Sequence, residues 1–188
     1  MSIPVPSGAP YGNSPDAPTT VGENITKLIS AEETYSHNIL GPVEFDLYHL
    51  QVSASVAEPA LPYQVAPANK AQIVEKEEVF KLKTKVRFNN TPLTRLLLCL
   101  GIDVKVNFCI EGCGGNATEV DVTSSITTEK DKFEYEIAWA GTAQVAGMTP
   151  GFYAIAAVAN VEMSDHPCAP ALLGAGYVAG IVMQVYDA

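Results

Sequence analysis

The stretch from Met148 to Val161 constrains the fold of this chain more than any other. Pro150-Gly151 is typical of a turn, because proline presets φ and glycine accepts a positive φ. Residues 152–161 are apolar at nearly every position, and their aromatic and β-branched content favours a strand. A strand that is apolar on both faces must be covered on both faces. The sequence therefore predicts a layered β-structure around this strand.

Residues 177–186 repeat the pattern near the end of the chain. Regular alternation divides this second strand between two faces: Tyr177, Ala179, Ile181, Met183 and Val185 against Val178, Gly180, Val182, Gln184 and Tyr186. Both faces are again mostly apolar. We therefore expect the outer faces of the two strands to need cover from the N-terminal arm or from another copy.

The clearest alternation lies between residues 80 and 88. Its two faces differ in chemistry: Phe80, Leu82, Thr84, Val86 and Phe88 against Lys81, Lys83, Lys85 and Arg87. This predicts a strand with a basic outer stripe. The stripe is either an electrostatic docking surface or a device that deters unwanted strand pairing. Glu134 and Glu136 form a complementary stripe, and the charges offset each other if the two strands meet.

After residue 101 the chain has short strand-like runs, frequent turn signals and no helix-length periodicity, which predicts an all-β, antiparallel β-sandwich. Residues 93–100 allow a helical turn or a strand, with Cys99 predicted as a buried apolar side chain. A short helix is expected within residues 23–40. The chain thus divides into a Pro-rich extended arm (1–22), an added helix or strand with a linker (23–69) and a sandwich domain (70–188).

The Pro-Gly-Phe-Tyr sequence at residues 150–153 resembles the entry to strand F in immunoglobulin-like and fibronectin III-like sandwiches. In that superfamily a tyrosine at this position bonds back to the upstream backbone, and the resemblance assigns that role to Tyr153. The resemblance covers about the last 110 residues and implies an immunoglobulin-like β-sandwich. Such folds carry many functions, so it implies no activity.

The composition excludes several kinds of partner. The net charge is −10 and the isoelectric point is about 4.6, which argues against nucleic acid as a partner. No run of 18 apolar residues predicts a membrane span. No secretory signal is visible at the start, so a cytoplasmic location is the default expectation.

Four residues form the one candidate metal site. Cys109, Cys113, His166 and Cys168 lie in or beside two predicted loops that would cluster at one end of the sandwich. Thiolates and an imidazole in a tetrahedral set are what zinc needs. The spacing also allows a disulfide such as Cys113–Cys168, or ordinary free thiols.

Catalysis has little support in the sequence. His166 and Cys168 are the residue types of a cysteine nucleophile and its histidine base. However, Pro167 lies between them and their side chains need not meet. We therefore expect a non-enzymatic structural or interaction protein, a homo-oligomer or filament that self-associates through its N-terminal arm and its apolar outer strand faces, with no cofactor. The alternative is a small zinc-binding or ligand-binding sandwich that uses the loop end with the four residues above.

Overall fold

The computed structural model describes residues 36–54, 72–115, 118–163 and 172–187. The predicted arm over residues 1–22 lies outside these ranges. The described residues form one helix and nine strands: β1 (Ser36–Leu40), β2 (Phe45–Ala54), β3 (Ile73–Glu75), β4 (Val79–Phe88), α1 (Pro92–Leu100), β5 (Asp103–Cys113), β6 (Val120–Thr127), β7 (Glu134–Thr142), β8 (Gly151–Glu162) and β9 (Leu172–Tyr186). The predicted all-β class is confirmed.

The strands form two layers. The first sheet has the order β1-β2-β4-β7, and the second has the order β6-β5-β8-β9. The short strand β3 pairs with the last three residues of β9, Gln184 to Tyr186. All pairs are antiparallel except β3 with β9, which is parallel. None of the helices among the described residues is long and apolar enough to cross a membrane.

The core lies between the two sheets and follows the predicted alternation. In β4 the apolar side chains Phe80, Leu82 and Val86 are fully buried, and the lysines face outward. Thr84 is the polar side chain on that inner face, and its hydroxyl donates a 2.9 Å hydrogen bond to the carbonyl of Tyr48. The inner face of β8 is also completely buried, as its apolar residues predict.

Strand β1 joins the two sheets. Ser36 and His37 pair with β2, whereas Asn38 and Leu40 pair with β9. Gly41 follows with a φ of 102°, and a Cβ at this position would clash with the carbonyl oxygen of Leu173. The chain therefore crosses between sheets at a position that only glycine fits.

The helix predicted within residues 23–40 is wrong for its last part, because residues 36–40 form β1. The pairing of β1 with both sheets outweighs a weak local helical pattern. The rest of that stretch lies outside the described residues. Strands β1 and β2 precede the boundary predicted at residue 70, yet they pair with β9 and β4, and β2 contributes Phe45 and Leu47 to the core.

Residues 92–100 form a helix, so of the two alternatives the helical one is confirmed. The side chain of Thr91 caps it by accepting a 3.1 Å hydrogen bond from the backbone N–H of Thr94. Pro92 begins the helix and Gly101 ends it with a φ of 75°. Cys99 is exposed, so its predicted burial is wrong. The helix buries Leu97 and Leu98 and turns the next residue outward.

The predicted alternation of the last strand is also wrong beyond its first half. Gly180 is an extra residue in β9, with a φ of 123°, and the register against β8 shifts there. A β-bulge of this kind moves every later side chain to the opposite face. Tyr177 therefore points outward while Ile181 points into the core.

The tyrosine at the start of β8 makes the contact that was predicted for it. The Tyr153 side chain is fully buried. Its hydroxyl donates to the carbonyl of Thr149 at 2.5 Å and accepts from the backbone N–H of the same residue at 2.9 Å. This pair of bonds fixes the turn that leads into the central strand.

Candidate functional site

The outer side of the second sheet is apolar. We call the outward side chains of β5, β8 and β9 the apolar face. Phe152, Tyr177 and Val182 are 53%, 46% and 50% exposed there. Between them lie alanines that are only partly covered, notably Ala156 and Ala179. Contiguous exposed apolar side chains of this kind mark interaction sites.

The strand register arranges the apolar face in rows that run across the strands. Small or slender side chains form the middle row, which consists of Cys109, Ala156 and Ala179. A larger row lies on each side: Asn107, Val158 and Tyr177 on one, Glu111, Ala154 and Val182 on the other. The middle row is therefore a groove of about 200 Å³, lined by alanines together with Cys109, Glu111, Tyr177 and Val182.

The charge around this groove is negative. Burial raises the pKa of the Cys109 thiol, and the carboxylates of Asp121, Glu111 and Glu119 raise it further. Lys105 is the single basic residue on β5, β6, β8 and β9. Among the described residues, neither Lys105 nor Glu111 makes an ion pair.

The outer side of the first sheet has the opposite character. We call the outward side chains of β2, β4 and β7 the charged face. Nζ of Lys83 lies 3.6 Å from a carboxylate oxygen of Glu136, and Nζ of Lys85 lies 3.4 Å from one of Glu134. Hydrogen bonding from the Tyr48 hydroxyl, followed by Lys85, holds the pKa of Glu134 below its ordinary value. The predicted offset of the two charge stripes is thus confirmed.

The strongest contact on the charged face joins Arg87 to Asp46. Nη2 and Nε of the guanidinium donate to the same carboxylate oxygen at 2.9 and 3.3 Å. Nδ1 of His37 lies 2.7 Å from the other oxygen of Asp46. The Asp46 side chain is only 7% exposed, so these contacts close over a nearly buried carboxylate.

The candidate zinc set is only partly described. Cys109 and Cys113 both lie on β5, four positions apart on the same face. Such positions in a strand are about 13 Å apart, whereas one zinc holds its thiolates within about 2.3 Å of the metal. The structure therefore does not bring these two thiols together. With Cys99 they are free thiols. Among the described residues, no three acidic, histidine or cysteine side chains cluster as metal ligands.

The register places Cys113 at the end of β5 that is opposite to the end paired with the last residue of β8. His166 and Cys168 follow β8 in the sequence and lie outside the described residues. The last residue of β8, Glu162, pairs with Asp103 at the start of β5, whereas Cys113 pairs with Phe152. The two ends of β5 are about 33 Å apart. The reason is that β5 and β8 are antiparallel neighbours in the same sheet, so the end of one strand lies beside the start of the other. The four-residue zinc set stays a prediction.

Sequence reasoning missed the groove and the position of Lys105. The doubly apolar strands did indicate an exposed apolar surface, but the groove depends on which small side chains lie in register on three neighbouring strands. The edge of the groove at Val182 also depends on the bulge at Gly180. In the sequence that bulge is marked by nothing except a glycine.

Comparisons with known proteins add little to this geometry. No protein-family model matches the chain, and no curated protein matches it. Among solved structures, the chain is similar to the crystal structure of the C-terminal domain of Wzt, at 12% identity over 84% of this chain and 80% of that chain, with a TM-score of 0.44. That similarity is too low to support an argument about function.

Proposed function

We propose that this chain is a non-enzymatic interaction protein that self-associates through the apolar face, with its N-terminal arm beside that interface. The observation that carries the proposal is the alanine-lined groove between Tyr177 and Val182, which the described residues leave uncovered. A second copy is the partner, because each copy presents both a groove and side chains of a size that fills one.

The energy available from covering this face is substantial. Full burial of a large apolar side chain contributes about 1.5–3 kcal/mol. Phe152, Tyr177 and Val182 are each about half exposed. Covering what remains of the three contributes about 2–4 kcal/mol per copy, before the partly covered alanines and Val158 are included. The charged face offers no comparable gain, because exposed ion pairs contribute little and most of its charges are already paired.

The arm belongs to the proposal because of where the chain enters the sandwich. Asn38 of β1 pairs with Gly176, which is the neighbour of Tyr177 on β9. The chain enters β1 at Ser36, which pairs with Leu47 of β2, and it reaches this edge of β9 two residues later. Deleting residues 1–22 tests their contribution and keeps β1 and β2, which are part of the core.

Light scattering of purified protein over a range of concentrations tests the proposal. Each chain has a mass of 20.0 kDa, so we expect the full-length protein to show a multiple of that value. Tyr177→Glu and Val182→Glu should each lower the measured mass towards 20.0 kDa, because a carboxylate would enter an apolar and already acidic interface. Both side chains point outward, so the folded monomer should keep its far-UV circular dichroism.

The matched control is Lys81→Glu. Lys81 is exposed on the charged face and makes no ion pair within the described part of the chain. The substitution changes the net charge more than Tyr177→Glu does, but it should leave the mass unchanged. A full-length protein with the mass of one chain at every concentration would reject the proposal.

We also infer that the sandwich is immunoglobulin-like in its strand connections. Tyr153 and its bonds to Thr149 support this inference, as does the parallel pairing of β3 with the end of β9. The inference concerns topology alone and adds nothing about a ligand.

A further inference from the structure

We infer that two copies dock their apolar faces about a two-fold axis that runs across the strands at the level of Phe108, with Lys105 of each copy against Glu111 of the other. This inference rests on the proposed self-association and specifies its geometry. At this register the basic residue of each copy faces an acidic residue of the other. The larger side chains of each copy also face the groove of the other.

The charge argument starts from the positions of Lys105 and Glu111. Both side chains are exposed on the outer side of β5, and Phe108 is midway between them along the strand. An axis in the plane of the interface, perpendicular to the strands, places β5 antiparallel over β5 of the other copy. Positions equally far from Phe108 then face each other, which creates the Lys105–Glu111 contact twice.

The relief of the surface matches at the same register. The row that contains Val158 and Tyr177 lies one position to one side of Phe108, and the groove row with Ala156 and Ala179 lies one position to the other side. Rotation about the axis places the larger row of each copy over the groove row of its partner. Large side chains that insert between small ones are the ordinary way in which two sheets pack face to face.

Like charges disfavour alternative registers. Apart from Lys105, the charged residues on the outer side of β5, β6 and β8 are acidic: Asp103, Glu111, Asp121 and Glu162. In an interface between two identical acidic surfaces, Lys105 is the one group of these strands that can offset a facing carboxylate. Aligned sheets cross at about 30°, and the long lysine side chain can span the resulting offset between the two positions.

Charge reversal tests the register by sedimentation equilibrium at low ionic strength. Lys105→Glu and Glu111→Lys should each weaken the dimer at least about tenfold, because each substitution creates two like-charge contacts. The double variant Lys105→Glu/Glu111→Lys should restore the affinity to near that of the unmodified protein. Net charge alone predicts a different result, since Glu111→Lys would then strengthen the association of an acidic protein.

The possible results separate the register from the function on which it rests. The register is wrong if neither single reversal weakens a dimer that Tyr177→Glu disrupts, or if the double variant does not recover the affinity of the unmodified protein. In both cases association through the apolar face stands. If the unmodified chain is a monomer, both proposals fail. Far-UV circular dichroism of each variant establishes that the loss of affinity does not come from unfolding.

Discussion

The two outer faces of this sandwich differ in whether their side chains have partners within the described part of the chain. On the charged face, Lys83 and Lys85 find carboxylates on the neighbouring strand β7, and Arg87 finds Asp46 on β2. On the apolar face, the exposed aromatic and aliphatic side chains find no cover among the described residues. Most charges of the charged face are paired within one chain, whereas the apolar face keeps exposed apolar side chains among the described residues. On the function proposed above, the first face contributes to stability and a second copy covers the other.

The largest effect within the charged face should come from Asp46→Asn. The substitution keeps the shape of the side chain and removes the charge that receives two bonds from Arg87. Hydrogen bonds to charged groups contribute about 1.5–3 kcal/mol, so we expect a loss of this size in the free energy of unfolding. Urea denaturation measures it.

The control for this variant is Lys81→Gln, which removes a charge on the same face that has no ion-pair partner among the described residues. It should change the unfolding free energy little. Equal stability of Asp46→Asn and the unmodified protein would contradict the view that the charged face is held together by its own contacts.

A smaller effect is expected for the pair of Lys83 and Glu136. Both side chains are partly exposed, at 33% and 48%, so solvent screens their attraction. A double-mutant cycle with alanine at each position should give a coupling of about 0.2–1 kcal/mol, which decreases at 1 M salt. A coupling that exceeds the Asp46 effect, or one that does not depend on salt, would contradict the ranking of these contacts.

The smallest effect is a change in the reactivity of Cys109 on the apolar face. Its pKa is raised, chiefly by burial and then by Asp121, so a smaller fraction is thiolate at pH 8. We expect iodoacetamide to modify Cys109 more slowly than the exposed Cys113. Asp121→Asn should lower the pKa of Cys109 towards its ordinary value and accelerate its modification severalfold, as measured by mass spectrometry of the digested protein.

The same experiment sharpens the comparison of the two faces. Because Cys109 lies in the groove, its modification should slow further as protein concentration rises and copies associate. Cys99 on α1 lies away from this face and serves as the internal control. A ratio of the Cys109 rate to the Cys99 rate that does not change with protein concentration would contradict burial of the groove between copies.

Much of the sandwich could be predicted because alternation is a local property. In β4 each lysine or arginine lies between two inward side chains, and the structure has this pattern at every position. Tyr153 was identified from four consecutive residues, since the turn and its capping tyrosine are adjacent in sequence. The last part of the helix expected within residues 23–40 and the burial of Cys99 were predicted from equally local patterns, and the pairing of β1 and the packing of α1 decided otherwise.

The candidate metal site shows why the rest could not be predicted. Its residues were predicted to lie together because the two loops that carry them were expected to cluster at one end of the sandwich. The structure describes two of the four residues, and the antiparallel pairing of β5 with β8 decides which end of the sandwich Cys113 occupies. Such long-range pairing leaves little trace in the residues nearby.

By itself, the sequence determined the β-sandwich class, the inner and outer sides of β4 and β7 and the excess of apolar surface on β8, because side-chain periodicity and hydrophobicity act residue by residue. The tertiary structure decided which rows of side chains lie in register across β5, β8 and β9. It also decided that the bulge at Gly180 turns Ile181 inward and Val182 outward, and that Lys105 is the single basic residue on the strands of the apolar face. These features depend on the alignment of strands that are distant in sequence, and only backbone pairing sets that alignment.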